Sequence, residues 1–223
     1  MIIPRVLSFD LDDTLWPVAP VIAAAEDALL AWLRDRYPRT VRDHSVESMR
    51  TLREGVAARH PEQSHDLTFL RKKALAEQFA AAGHEESLAE SAFSVFHAAR
   101  NRVQLYPDVR PALERLGRRY PLFALSNGNA DLNLCGLADL FAGHISARAA
   151  GVAKPDPRIF SQLAAAAGVA PAAVLHVGDD PLADVDGARR AGMQAVWLNR
   201  TERAWPAQFE PPARTVTSLA ELA

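Results

Sequence analysis

A single cysteine, Cys135, stands in 223 residues. That excludes an internal disulfide and a metal centre built from several thiolates. A lone cysteine in such a chain is expected as a small buried hydrophobe. Lysine is nearly as scarce: Lys72, Lys73 and Lys154 stand against 22 arginines. The 25 basic residues meet 27 acidic ones, for a formal net charge of -2. No global field therefore draws the chain to nucleic acid or to an anionic membrane. Long apolar runs are missing too. The longest stretch without Asp, Glu, Lys or Arg is Ile159–Gly178, 20 residues. Gln162, Gly168, Pro171 and His176 interrupt it, so it is a poor lipid-spanning helix. The N-terminus has no basic region followed by an apolar one, and carboxylates begin at Asp10. The expectation is a cytoplasmic protein with neither membrane nor nucleic acid as partner. What is present, 49% hydrophobic and 23% charged residues, is the composition of a soluble globular chain. Its length suffices for one large core or two modest ones.

Ile2 and Ile3, then Val6–Phe9, form an apolar stretch that ends abruptly at Asp10. It reads as a buried strand with carboxylates at its C-terminal end. From about Pro20 to Val103 the pattern is helical, with helices expected near 20–36, 45–59, 66–82 and 85–103. Breaks fall at Tyr37-Pro38, His60-Pro61 and Gly83-His84. From Tyr106-Pro107 onward helices and strands alternate. Helices are expected at 110–119, 156–168 and 184–192, the second with Asp156 as N-cap and Pro157 in its first turn. Strands are expected at 121–125, 144–147, 173–177, 194–198 and 215–217. This order predicts an α/β fold: a three-layer, Rossmann-like parallel sheet with helices on both faces and an inserted helical unit. The boundaries are 1–16 and 106–223 for the sheet domain and 17–105 for the insert, a four-helix-bundle type of cap.

In open parallel sheets ligands bind outside the carboxyl ends of the strands. Four such ends carry polar groups here. The first delivers Asp10, Asp12 and Asp13 within four positions. Three carboxylates that close repel one another, and a cation or a catalytic role accounts for the cost better than a turn does. The second delivers Ser126-Asn127-Gly128, which alone is ordinary turn chemistry. The third loop carries Lys154, the only lysine outside the 72–73 pair. The fourth delivers Gly178-Asp179-Asp180, with Asp184 following.

Taken in order, these four elements resemble the haloacid dehalogenase-like (HAD) hydrolase superfamily over essentially the whole chain. Asp10-Leu11-Asp12-Asp13-Thr14 is similar to its first motif, D-x-D-x-T. Ser126, Lys154, and Gly178-Asp179 with Asp184 are similar to the second, third and fourth. The helical block resembles a C1-type cap. Segments such as Phe9–Leu15, Ser126–Ala130, Leu175–Asp180 and Gly187–Ala195 are similar to bacterial phosphatases acting on FMN and on the phosphorylated pyrimidine intermediate of riboflavin synthesis.

The resemblance implies a phosphatase working in two steps on a small-molecule phosphate ester. Asp10 is then the nucleophile that forms an aspartyl-phosphate, and Asp12 the acid and later the base. Ser126 and the Asn127 amide bind phosphoryl oxygens, and Lys154 neutralises charge on both nucleophile and phosphoryl group. Mg²⁺ is held by the Asp10 carboxylate, the Asp12 carbonyl and Asp179, with Asp184 ligating directly or through water. Three carboxylates against one lysine would repel a phosphate dianion unless a dication entered with it. Three other activities share the fold or its chemistry. True 2-haloacid dehalogenases lack the second Asp of the first motif. Phosphosugar mutases share the core residues. A receiver-like domain that stores phosphate on Asp is shorter and has no helical insert. His176 is expected as a satisfied strand residue, and Trp16 either as a substrate contact or as packing at a hinge. Either a monomer or a homodimer is expected.

Overall fold

A computed structural model describes residues 3–42 and 45–222. The chain divides into two compact units, Met1–Pro17 with Gln104–Ala223, and Val18–Val103. The strands are β1 (Val6–Phe9), β2 (Leu122–Ser126), β3 (Gly143–Ser146), β4 (Val174–Gly178), β5 (Gln194–Leu198) and β6 (Thr215–Val216). The helices are α1 (Val18–Arg36), α2 (Pro38–Val41), α3 (Val46–Arg59), α4 (Leu67–Ala81), α5 (Leu88–Arg100), α6 (Val109–Gly117), α7 (Ala147–Ala150), α8 (Pro157–Ala166) and α9 (Gly187–Arg190).

The first unit is a six-stranded parallel sheet in the order β3-β2-β1-β4-β5-β6. β1 sits between β2 and β4 and is buried at every position. A strand buried on both faces has no polar alternation, which is why it reads as an uninterrupted apolar run. One face carries Val6, Phe123, Leu125 and Val174 against Ile159, Phe160 and Leu163 of α8 and Ala188 of α9. Leu122 and Ala124, of opposite parity, face the other side. There α6 buries Val109, Ala112, Leu113 and Leu116, the i, i+3, i+4, i+7 stripe of an amphipathic helix. The result is the expected three-layer α/β sandwich. Ile2 lies outside the described residues, and Ile3 is 81% exposed, so the buried run starts at Val6.

Asp156 caps α8 by accepting the Arg158 N–H, and Pro157 occupies its first turn. After β4 the expected helix from 184 is replaced by a wider turn over Pro181–Asp186, and α9 holds only Gly187–Arg190. Asp180 makes this possible. Its carboxylate accepts from Leu182 N–H (2.8 Å) and Ala183 N–H (2.7 Å), and its carbonyl accepts from Val185 N–H five residues on (3.3 Å).

The second unit is helical. Its core joins Ala25, Leu29 and Leu33 of α1, Leu75 and Phe79 of α4, and Ala92, Phe93 and Phe96 of α5. A short extra helix, α2, begins where the sequence suggests only a break. Pro38 lacks the N–H that an opening turn would leave unbonded, so it starts a helix as readily as it ends one. Glu26 is buried in this unit and is paired with Arg53 (2.8 Å) and Arg71 (3.0 Å). Among the described residues no helix is long and apolar enough to cross a membrane.

Candidate active site

β1, β2 and β4 end side by side, and their parallel register sets three polar loops against one another. Asp10 follows Phe9, and its N–H extends the ladder to Val177 O (2.9 Å). Ser126 closes β2 and Gly178 closes β4. The Asp10, Asp179 and Asp184 carboxylates each place an oxygen within 4.8 Å of the other two.

Lys154 is buried among them. Its ammonium donates to Asp10 Oδ1 (2.6 Å), Asp184 Oδ1 (2.6 Å) and Leu125 O (2.9 Å). An ammonium has three N–H donors, and all three are engaged. Asn127 puts the lysine there. Its side-chain amide donates to Lys154 O (2.9 Å) and accepts from Lys154 N–H (2.7 Å), a two-point clip between loops 27 residues apart. The Asn127 side chain therefore builds the site, which the sequence alone does not reveal. Ser126 is fully buried, and its Oγ accepts from Gly128 N–H (2.9 Å).

Asp184 comes off the wide turn after β4 and lies over Gly178. A Cβ at Gly178 would stand 2.2 Å from the Asp184 carboxyl carbon. Gly178→Ala is therefore expected to push Asp184 off Lys154, at a cost of about 1–3 kcal/mol in stability. Urea unfolding would measure it, and an unchanged midpoint would contradict this account.

His176 supports Asp184 from beneath. Its Nε2 lies 3.1 Å from Asp184 Oδ1 and its Nδ1 2.7 Å from Ser8 Oγ. A carboxylate only accepts, so Nε2 carries the hydrogen and Nδ1 accepts from the Ser8 hydroxyl. Burial holds this imidazole below the ordinary histidine range, so it is neutral. It is a satisfied strand residue, as expected.

The carboxylates differ in charge state. Burial raises Asp10 to about 8; Lys154 pulls against that, and Asp184 pushes with it. Burial likewise raises Asp179 to about 7, helped by Asp184 and Asp13 and opposed by Arg203. Burial would also raise Asp184, but Lys154 and His176 hold it well below the carboxylate range. Burial works against the Lys154 charge, yet Asp10 and Asp184 keep it above the ordinary lysine range.

Asp12, two residues beyond Asp10, is not in this cluster. Its Oδ1 accepts from the Trp16 indole N–H at 2.9 Å. Trp16 has no exposed surface, so it reaches Asp12 from within the packed interior and offers no face to a substrate. Three further residues brace the site without belonging to any motif. Trp197 Nε1 donates to Asp179 O (2.8 Å), Arg203 Nη2 to the same oxygen (3.2 Å), and Arg200 Nε to Thr14 O (2.9 Å). Cys135 is only half-buried, contrary to expectation.

Comparison with known proteins accords with this geometry. Residues 4–192 match the family model of the haloacid dehalogenase-like hydrolases. The Escherichia coli phosphatase YigB, named for 5-amino-6-(5-phospho-D-ribitylamino)uracil, is 36% identical over 199 residues, 86% of this chain and 82% of that protein. Thermus thermophilus phosphoserine phosphatase is 36% identical over 150 residues, 65% of this chain and 60% of that one. A solved structure from Pseudomonas syringae pv. Tomato, named a 2-haloacid dehalogenase, superposes with TM-score 0.93 at 38% identity, covering 99% of this chain and 96% of that one. With its strand-end carboxylates and buried lysine in place, this chain belongs to the haloacid dehalogenase-like hydrolase family.

Proposed function

We propose that the chain is a magnesium-dependent phosphatase that hydrolyses a small phosphomonoester through an aspartyl-phosphate on Asp10. One observation carries this reading. A single loop presents a buried carboxyl clamped by a lysine, Asp10, and a second carboxyl, Asp12, oriented by a different partner.

Asp10 attacks phosphorus, and the ester P–O bond breaks as Asp12 gives its proton to the leaving oxygen. Asp12 then takes a proton from water, which attacks the aspartyl-phosphate and regenerates Asp10. Ser126 Oγ already accepts from Gly128 N–H, so its own hydrogen is proposed to serve a phosphoryl oxygen, beside the Asn127 main-chain N–H. The three Lys154 N–H groups are engaged by protein oxygens, so its contribution to the phosphoryl group is electrostatic.

The donor set fits a hard dication: all oxygen, closely spaced, and more negative than Lys154 balances. Asp10, Asp179 and the Asp12 carbonyl would hold Mg²⁺ directly. Asp184 already accepts from Lys154 and His176 on Oδ1 and from Asp180 N–H on Oδ2, which favours a link through water. When bound, the ion supplies charge neutralisation for the carboxylates and for an entering phosphate dianion.

A pH dependence follows. Carboxyls raised to about 8 and about 7 keep protons that the unfolded chain has lost, so ionising them works against the fold. The metal-free protein is expected to lose stability as pH rises from 5 to 8. Millimolar Mg²⁺ should then raise the melting temperature by more than ~5 °C at pH 8 and by less than ~2 °C at pH 5.5. A Mg²⁺ effect that shrinks with rising pH would refute the site.

The catalytic core is proposed as 1–16 and 106–223, with the insert at 17–105 selecting among esters. The likeness to YigB makes FMN and the riboflavin-pathway pyrimidine phosphate the first substrates to test. A phosphate-release screen over these, sugar phosphates, nucleotides and phosphoglycolate should show activity that EDTA removes and Mg²⁺ restores. Full activity in metal-free buffer would contradict the reading. The dehalogenase name of the Pseudomonas syringae structure motivates a second reading. A halide leaves without a proton, so that chemistry has no use for Asp12 as an acid. Halide release from 2-chloropropionate without phosphate release from any ester would decide for it. A mutase would return an isomerised sugar phosphate in place of free phosphate.

A further inference from the structure

We infer that Trp16 is a positioning residue for proton transfer: its indole N–H fixes the orientation of the Asp12 carboxyl. The inference rests on the acid–base role of Asp12 proposed above.

The contact is built into the backbone. Asp13 adopts the left-handed conformation, φ +60°, which Asp tolerates better than most residues. That turn lets Asp13 N–H reach Trp16 O (2.8 Å), while Leu15 N–H reaches Leu11 O (2.7 Å). Asp12 and Trp16 are paired as a bridge across the loop. The indole therefore returns to Asp12 by chain geometry. Phe or Leu would fill the same space but would bring no donor.

The chemistry of the contact is asymmetric. Indole nitrogen donates and never accepts, so Oδ1 is fixed as an acceptor in both protonation states of Asp12. In the neutral carboxyl the carbonyl oxygen is the better acceptor, so the indole favours Oδ1 as the carbonyl and leaves Oδ2 to carry the proton. In the first half-reaction the Asp10–phosphorus bond forms and the ester P–O bond breaks. The Oδ2 proton goes to the departing alkoxide. Without the indole, Oδ1 loses the donor seen at 2.9 Å, and carboxyl orientations that point the wrong oxygen at the ester transfer no proton.

The opposite interpretation is that Asp12 merely satisfies a packing tryptophan. Leaving-group dependence separates the two. A nitrophenolate departs without protonation, whereas an alkoxide needs the acid. The parameter kcat/KM counts only steps through departure of the alcohol, so it isolates the acid role from later hydrolysis of the phosphoenzyme.

The test uses the full chain with Mg²⁺ and two probes: p-nitrophenyl phosphate, and FMN or the alkyl phosphate turned over fastest in the screen. Trp16→Phe is expected to lower kcat/KM by ~10-fold or more on the alkyl ester and by less than ~3-fold on the aryl ester. Replacing Trp16 by 3-benzothienylalanine keeps the ring volume and removes only the N–H. It should give the same split, which keeps the test decisive if Trp16→Phe folds poorly. Equal losses on both probes, or none, would overturn the inference. Asp12→Asn is the control. If it discriminates between the probes and both Trp16 variants do not, the positioning role alone fails. If Asp12→Asn does not discriminate, the acid–base reading fails and the inference falls with it.

Discussion

Asp10→Asn is expected to cut turnover by more than ~10³-fold while raising the melting temperature of the metal-free protein. The two effects have one cause. Asp10 is buried beside Asp184 and Asp179, and burial with that repulsion raises its carboxyl to about 8 despite Lys154. At neutral pH and above, the folded protein must either keep a proton there that the unfolded chain has released or bury an anion. An amide has nearly the same shape, still accepts from Lys154 through Oδ1, and carries no charge. It also cannot form a phosphoryl ester. A gain in stability with loss of chemistry is the signature of a site arranged for function and not for the fold. Phosphate release and thermal melting of the purified variant measure both halves. Activity above ~1% in a folded Asp10→Asn protein would remove the covalent route.

Lys154→Met should be the most damaging single change for stability. The side chains are similar in length, but the variant deletes a buried charge that serves two carboxylates and a main-chain carbonyl. Breaking a buried pair from one side costs about 3–5 kcal/mol, because the partner charges stay behind. The loss has a defined pH profile. Lys154 is the main influence holding Asp184 well below the carboxylate range against burial. A depressed carboxyl contributes stability above its unfolded value, near pH 4, and loses that contribution as pH falls through its folded value. The gap between wild type and variant should therefore be widest near pH 7 and narrow toward pH 4, where the abandoned Asp184 carboxylate takes up a proton. Urea unfolding across that range checks it, and a pH-independent gap would refute it. Activity should drop by at least ~10²-fold. Arginine should not rescue it, since a planar fork cannot reproduce three converging N–H bonds.

Much of the site is legible in sequence because each strand announces its own end. Val6–Phe9 is apolar and Asp10 is not; Leu175–Gly178 leads to Asp179 in the same way. Ser126 and Lys154 are weak signals alone and become informative through their order. What escapes the sequence is contact across long separations. The Asn127 clip on Lys154 spans 27 residues, and Arg203 reaches Asp179 across 24. Trp16 shows a different failure. It is only four residues from Asp12, yet a left-handed Asp13 is needed to bring the indole back. Nothing in the residue types announces that turn. The helix expected from 184 is shorter for a similar reason. The Asp180 cap opens the first turn wide enough to lay Asp184 over Gly178.

By itself, then, the sequence determined the α/β class, the helical insert, the family and the acidic strand ends, because these depend on local periodicity and on motif order. Tertiary structure decided the charge of each group. The same aspartate side chain is raised at 10 and 179 and depressed at 184. The difference comes from burial and from which partners the packed strands bring within hydrogen-bonding reach. Lys154, His176 and the Asp180 N–H converge on Asp184, whereas Asp10 has the lysine alone against two neighbouring carboxylates. Desolvation and Coulomb energy depend on distances in space, which residue order along the chain does not specify.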